Sequence, residues 1–174
     1  MAKQKKEQKF DTPALLNIED AQLIWRNFSG KGGGFNAEGN RNFSVVLDED
    51  QYQDLALMNW RVKTYVPKND DEPLPPIYSL NVKVNFNSNR PPKIYLITES
   101  SRAMLDEDSI DILDFADIVT ADLVINPYYT ETALAGAGFS AYLQTAYITI
   151  REDKFASKYA NVPTSAIAAI TGER

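Results

Sequence analysis

The stretch "YSLNVKVNF" (residues 78–86) decides the fold class, because apolar and polar side chains alternate strictly along it. The even-numbered positions from 80 to 86 are all apolar, and the positions between them carry Asn81, Lys83 and Asn85. A period of two residues is typical of a β-strand that buries one face and exposes the other. The stretch therefore predicts a strand in a sheet with one buried face and one solvated face.

The same alternation extends to other parts of the chain. In "WRVKTYV" (60–66), Arg61, Lys63 and Tyr65 share the polar face. Five further segments have the composition of short strands. They are residues 21–28, 41–48, 93–98, 121–129 and 141–150. About seven short strands of this kind indicate an antiparallel sheet.

Two segments favour helices. "DEDQYQDLALMN" (48–59) and "DEDSIDILDFAD" (106–117) both begin with acidic residues, which the positive end of a helix dipole stabilises. The second also resembles the start of a calcium-binding loop, but Asp111 occupies the position where that loop needs glycine for its sharp turn. The sequence therefore predicts a mainly β fold with two short helices.

The length and the termini indicate one domain with two appendages. A chain of 174 residues can bury roughly 70% of its extended surface in a single core. We expect residues 1–12 to be a flexible basic arm, residues 13–160 to form the domain, and residues 161–174 to be a C-terminal tail. The sequence has no apolar run long enough to span a membrane, and no apolar segment typical of a signal peptide follows the basic start.

The composition removes several classes of enzyme. Cysteine and histidine are both absent, which excludes disulfides, cysteine nucleophiles, Cys/His zinc sites and histidine acid–base catalysis. We therefore expect a protein that is not an enzyme, with no catalytic residue, no metal and no cofactor. A nuclease built on carboxylates and magnesium stays open as an alternative, and it predicts magnesium-dependent cleavage.

The charges are unevenly distributed. The net charge is −6, yet residues 21–45 carry one acid and residues 77–98 carry none. The cations of these two segments are Arg26, Lys31, Arg41, Lys83, Arg90 and Lys93. This segregation predicts a cationic groove on an anionic body. The alternative is that the acids simply favour helix starts and solvated loops.

The glycine-rich loop "NFSGKGGGFNAEGNRNF" (27–43) has five glycines between two predicted strands. It does not match a Walker A loop, because no Lys-Ser or Lys-Thr follows the glycines and a strand follows where a helix should begin. The partial match of residues 32–37 to a dinucleotide fingerprint fails on the same context. A loop of this kind can instead approach a nucleic-acid backbone with its main-chain amides. The alternative is a mobile hairpin loop. We expect Phe43, which precedes "SVVL", to lie in the core.

A basic and aromatic sheet face is the usual platform for single-stranded nucleic acid. The residues that we expect to contact phosphates are Arg26, Lys31, Arg41, Lys63, Lys83, Arg90 and Lys93. The residues that we expect to stack on bases are Phe28, Phe35, Tyr65 and Tyr142. Both tryptophans, Trp25 and Trp60, lie on apolar faces and are expected in the core.

Several blocks of the sequence, taken in order, carry a family resemblance. They are "FNAEGNRNFSVVLDED", "WRVK", "RPPKIYLIT", "LDEDSIDILDFADI", "LVINPYY" and "AYLQTAYITI". Over residues 20–160 the chain resembles bacteriophage single-stranded DNA-binding proteins of the OB-fold type. The resemblance implies an elaborated OB-fold, a Greek-key antiparallel barrel.

The resemblance also implies a function and partners. Such a protein would coat and protect phage single-stranded DNA during replication and recombination, without sequence preference, in the host cytoplasm. Other phage replication proteins would be partners, and self-association is left open. One departure is that "TSAIAAITGER" is nearly neutral, so recruitment through an acidic tail is not expected. The alternative is a phage structural or assembly protein, which predicts stable oligomers and no salt-dependent affinity for DNA.

Overall fold

The computed structural model describes residues 7–34 and 36–152, and this part of the chain is mainly β, as predicted. Its helices are α1 (Glu49–Leu57) and a 3₁₀ helix (Ile110–Asp114). Its nine strands are β1 (Leu16–Ile18), β2 (Leu23–Asn27), β3 (Arg41–Leu47), β4 (Val62–Tyr65), β5 (Ile77–Val84), β6 (Lys93–Ile97), β7 (Arg102–Leu105), β8 (Ile118–Thr132) and β9 (Gly136–Ile150).

The strands form one mixed sheet in the order β1-β8-β9-β5-β3-β2. β4 pairs with β5, and β6 pairs with both β7 and β9. The pairs β5–β9 and β6–β9 are parallel, so the expectation of a purely antiparallel sheet was wrong. Alternation within a strand reports which face is buried but not the direction of its partner, which is why the sequence did not show the parallel pairs. The architecture is consistent with an OB-like fold.

The core lies on the apolar face that the alternation predicted. Phe43 pairs with Val82 and Val45 with Leu80 across β3 and β5, and all four side chains are fully buried. The expected core position of Phe43 is thereby confirmed. Trp60, with 4% of its surface exposed, also lies in the core as expected. The opposite face carries mainly polar side chains, from buried Ser44 and Ser79 to exposed Lys63 and Lys83, and this face carries the candidate site.

The two predicted helices have different outcomes. α1 begins with a capping box, in which the Asp48 side chain accepts from the Gln51 N–H at 2.8 Å and the Gln51 side chain accepts from the Asp48 N–H at 3.0 Å. The second segment is only a 3₁₀ helix. Before it, the Asp106 carboxylate accepts from the N–H groups of Asp108 and Ser109, at 3.0 Å each, and caps the turn that leads into the 3₁₀ helix.

The N-terminal end of the described chain packs on β8. Lys9 forms an ion pair of 3.1 Å with Glu131 of β8, and its N–H donates to the Tyr129 hydroxyl at 3.1 Å. Phe10 packs against the core, so the last part of the predicted arm lies on β8. The predicted tail, residues 161–174, lies outside the described residues. Across residues 7–34 and 36–152, the helices are too short or too polar to cross a bilayer.

Candidate nucleic-acid interface

A groove of about 480 Å³ lies on the polar face of the sheet, where β3, β4, β5 and β9 meet the glycine-rich loop. Its described lining contains three cations and no carboxylate. The lining residues are Asn36, Gly39, Asn40, Arg41, Asn42, Lys63, Asn81, Lys83, Val84, Asn85, Asn87 and Tyr142. The groove therefore gathers positive charge and amide groups on a protein whose net charge is negative.

The sheet register sets the positions of the groove residues. Lys83 on β5 pairs with Asn42 on β3 on one side and with Tyr142 on β9 on the other. Lys63 on β4 pairs with Ser79, four positions before Lys83 on the same face of β5. Because side chains on one face of a strand recur every second residue, these groups all project from the polar face. Arg41 is in phase with buried Phe43 on β3 but also lines the groove. The structure therefore brings together Arg41, Lys63, Lys83 and Tyr142, four of the residues expected to bind nucleic acid.

A ladder of asparagine side chains ties the glycine-rich loop to the sheet. The Asn81 Nδ2 donates to Asn42 Oδ1 at 3.2 Å, and the Asn42 Nδ2 donates to Asn36 Oδ1 at 3.1 Å. The Asn36 Nδ2 in turn donates to the main-chain oxygens of Lys31 at 2.9 Å and Asn40 at 3.0 Å. The ladder fixes the loop beside the groove. Alternation along the sequence places Asn81 on the polar face but does not reveal the ladder, because Asn81 is far from Asn36 and Asn42 in the chain.

The glycine-rich loop uses several of its amides internally. The Gly32 N–H donates to the Glu38 carboxylate at 2.6 Å. The Gly33 N–H donates to the main-chain oxygen of Asn36 at 2.9 Å, and the Gly39 N–H donates to the main-chain oxygen of Gly30 at 2.8 Å. The idea that the glycine amides approach a ligand backbone is therefore corrected for these three positions. Gly30 is required sterically, because its φ is +73° and a Cβ there would lie 3.1 Å from the Gly39 carbonyl carbon.

Two exposed aromatic rings meet beside the groove. Tyr65 lies two residues beyond Lys63 on β4, and its ring contacts Trp25 edge to face at 5.6 Å and 84°. Trp25 is 54% exposed and Tyr65 is 50% exposed. The expectation that Trp25 lies in the core was wrong. The β2–β3 register shifts between Ile24 and Asn27, and Trp25 has a φ of +50°, so this irregularity turns the ring to solvent.

A second aromatic pair lies at the β9 side of the groove. Tyr142 contacts Tyr128 of β8 edge to face, with 5.5 Å between the ring centroids. Tyr128 is exposed, while the neighbouring Tyr129 packs against buried Phe139 at 5.6 Å. Tyr128 is not among the residues that we expected to stack on bases. The adjacent Tyr-Tyr pair was a signal that one of the two rings is exposed, since successive residues of a strand face opposite sides.

Three other aromatic or basic residues use their side chains in contacts within the protein. Phe28 is fully buried and stacks on Phe43 at 5.0 Å, so the expectation that it stacks on a base is corrected. Arg26 donates from Nη1 to the main-chain oxygens of Leu113 at 3.0 Å and Ala116 at 2.8 Å, which directs its charge to the end of the 3₁₀ helix instead of the groove. Arg61, on the same face as Lys63, donates to main-chain oxygens of the β8–β9 hairpin.

Arg41 sits where the groove meets the acidic turn before the 3₁₀ helix. Its Nη1 lies 3.9 Å from a Glu107 carboxylate oxygen, and its guanidinium lies 5.8 Å from the Phe86 ring centroid. Its Nε is buried with no hydrogen-bond acceptor in the described part of the chain. In the same turn, the hydroxyl of Ser109 donates to Asp106 and lowers the pKa of that carboxyl group.

Three more of the expected cations lie outside the described groove lining. Lys31, Arg90 and Lys93 are exposed on the glycine-rich loop, the turn after β5 and the first position of β6, respectively. Phe35 lies outside the described residues. Within residues 7–34 and 36–152, no group of three or more acidic side chains is placed to hold a metal ion.

A family model described as "Putative phage ssDNA-binding domain" matches residues 3–174, nearly the whole chain. The chain belongs to this family. The resemblance inferred from the sequence blocks is confirmed by this match. No curated protein matches the sequence.

The chain is also similar to solved structures of a phage protein. The single-stranded DNA-binding protein from bacteriophage Enc34 in complex with ssDNA has 11% identity and a TM-score of 0.49, over 80% of this chain and 88% of that chain. The same Enc34 protein in a second structure has 11% identity and a TM-score of 0.46, over 87% of this chain and 88% of that chain.

Proposed function

We propose that this phage protein binds single-stranded DNA without sequence preference, in the groove between β3, β4, β5 and β9. One observation carries the proposal. The described groove lining combines three cations with no carboxylate, and two aromatic pairs adjoin it: the exposed rings of Trp25 and Tyr65, and half-buried Tyr142 of the lining with exposed Tyr128. Family membership supports the same conclusion.

Each part of the groove suits one part of a single strand. The side chains of Arg41, Lys63 and Lys83 neutralise phosphates, and the release of counterions from the strand favours binding. The rings beside the groove offer flat faces to unpaired bases, and every base has such a face, so stacking tolerates any sequence. A duplex keeps its bases stacked on each other and cannot use these rings. Preference for single strands follows from the aromatic pairs, and salt dependence follows from the cations.

The asparagine ladder has a positioning role in the proposal. Asn side chains carry both a donor and an acceptor, so they can contact phosphates, sugars or base edges of any identity. The three Asn side chains of the ladder, however, already bond to each other and to the loop. Their role in the proposal is to hold the loop at the edge of the groove. Lys31 and Phe35 on that loop, and Arg90 and Lys93 beyond β5, stay predicted contacts.

The proposed activity is binding and protection, with no bond made or broken. The protein would coat single strands during phage replication or recombination in the host cytoplasm, together with other phage replication proteins and further copies of itself. The domain of residues 13–160 would carry the groove, with residues 1–12 as an arm and residues 161–174 as a tail.

Fluorescence anisotropy with a labelled poly-dT oligonucleotide tests the proposal. The protein is titrated at several salt concentrations, with a duplex of the same length as the control. We expect the single strand to bind more tightly than the duplex, and log K to fall with log salt at a slope of about −0.7 per phosphate neutralised. Equal affinity for the two forms, or no binding at low salt, would overturn the proposal and favour a structural role.

A further inference from the structure

A second aromatic cluster lies away from the groove, where β6, β7 and β9 adjoin. The rings of Tyr95 on β6 and Tyr147 on β9 stack at 5.1 Å with 15° between their planes. The guanidinium of Arg102 on β7 lies 4.9 Å from the centroid of the Tyr95 ring. None of these three residues belongs to the groove or to the residues that the sequence analysis expected to bind DNA. We refer to Tyr95, Arg102 and Tyr147 as the β6–β9 cluster.

A β-bulge places this cluster on the same face of β9 as the groove. Tyr142 and Tyr147 are five positions apart, and in a regular strand an odd spacing puts two side chains on opposite faces. Here Leu143 pairs with Ile125 and Thr145 pairs with Val124, so Gln144 is an extra residue on β9. A bulge of this kind restores the phase of the alternation. Tyr142 and Tyr147 therefore both project from the side opposite the core.

The β6–β9 cluster has the chemistry of a stacking site. Tyr147 is 39% exposed, and Arg102 is exposed as well. The stack and the guanidinium hold the two rings in a fixed orientation, so little side-chain entropy is lost when a base packs on them. Lys93, at the start of β6 on the same face as Tyr95, adds a second cation between the cluster and the groove.

Two of three acids around the β6–β9 cluster form hydrogen bonds within the chain. Asp122 pairs with Tyr147 in the β8–β9 register, and its Oδ1 accepts from the Asp20 N–H at 2.9 Å. Glu152 accepts from the hydroxyl of Ser100 at 2.7 Å. Glu99 in the same β6–β7 turn is exposed and faces solvent. These contacts hold two of the three carboxylates in place.

We propose that the β6–β9 cluster is a second contact site for the same single strand, which leaves the groove at Tyr142 and continues along β9. This inference rests on the proposed function of the groove. The five residues of β9 from Tyr142 to Tyr147 span roughly 15 Å, so the bound DNA must extend beyond the groove to reach Tyr147. A bound length within the range of about 4–16 nucleotides per OB fold can cover both sites.

Oligonucleotides of increasing length distinguish the contribution of the groove to DNA affinity from that of the β6–β9 cluster. Poly-dT of about 4 to about 16 nucleotides is titrated against the full chain and the variants Tyr147→Ala, Tyr147→Phe and Lys83→Ala. We expect Tyr147→Ala to bind the shortest oligonucleotide like the wild type and to bind the longest about 5- to 150-fold more weakly. Tyr147→Phe keeps the ring and should retain the affinity for the longest. Lys83→Ala, in the groove, should weaken binding at every length.

The outcomes distinguish the two proposals. If Lys83→Ala weakens binding and Tyr147→Ala binds the longest oligonucleotide like the wild type, the second site is overturned and the groove stands. If the wild type binds no single strand, the proposed function itself fails. Ultraviolet cross-linking of the wild type to poly-dT with 5-iododeoxyuridine gives a readout without mutation. A cross-link at Tyr147 supports the second site, and cross-links confined to the groove residues contradict it.

Discussion

The ammonium group of Lys83 lies 5.7 Å from the centroid of the Tyr142 ring, across the short parallel pair of β5 and β9. The contact places a phosphate-binding charge beside a base-stacking surface, which are the two elements that single-strand binding requires. A cation near a ring face is itself favourable, by about 0.5–1 kcal/mol at an exposed site. The contact therefore holds Lys83 and Tyr142 in position before DNA binds.

The lysines of the groove should set the salt dependence of binding. We expect Lys63→Ala and Lys83→Ala each to make the slope of log K against log salt shallower by about 0.7, because each variant removes one neutralised phosphate. Lys68→Ala is the matched control, since Lys68 is exposed in the loop after β4 and is not part of the groove lining. Equal slopes for Lys68→Ala and Lys83→Ala would show that the protein's overall charge, not the groove, governs binding.

The two tryptophans give a direct optical test of the Trp25–Tyr65 pair. Trp25 is exposed beside the groove, while Trp60 is buried in the core. We therefore expect single-stranded DNA to quench only the emission of Trp25, and Trp25→Phe to abolish the quenching while preserving a ring. Trp25→Ala should also weaken binding, by about 1–3 kcal/mol if one base stacks there. Quenching that persists in Trp25→Phe would place the strand elsewhere.

Phe28 should affect stability instead of binding. Removal of its buried ring in Phe28→Ala leaves a cavity against Phe43, and we expect the free energy of unfolding to fall by about 3–5 kcal/mol. Urea unfolding measures this loss, and Phe28→Leu, which fills much of the space, should lose less. The folded fraction of Phe28→Leu should bind poly-dT like the wild type. A loss of affinity without a loss of stability would restore the original expectation of a stacking residue.

Arg26 offers a similar distinction between a structural and a binding cation. Arg26→Gln removes the charge and at least one of the two hydrogen bonds to the oxygens of Leu113 and Ala116. Hydrogen bonds to charged groups contribute about 1.5–3 kcal/mol, so thermal unfolding should show a clear loss of stability. The salt slope of binding should stay that of the wild type. A shallower slope would indicate that Arg26 does contact a phosphate.

Local patterns determined the parts of this structure that depend on neighbouring residues in the chain. The alternation of residues 78–86 predicted the buried face of β5 and the polar positions of Asn81 and Lys83. The acidic start of residues 48–59 predicted α1, because a capping box needs only residues three positions apart. β1 and β7 were missed, since each is short and has a single buried residue.

The amino-acid pattern alone predicted the mainly β class, the polar face, the family, and most of the cations and rings near the groove. Which of these side chains meet depends on how the strands pair. The parallel β5–β9 pair brings Lys83 to Tyr142, an irregularity in β2 turns Trp25 outward, and the core takes Phe28. The physical reason is that periodicity within a strand reports burial, whereas partners and bulges depend on contacts between residues far apart in the chain.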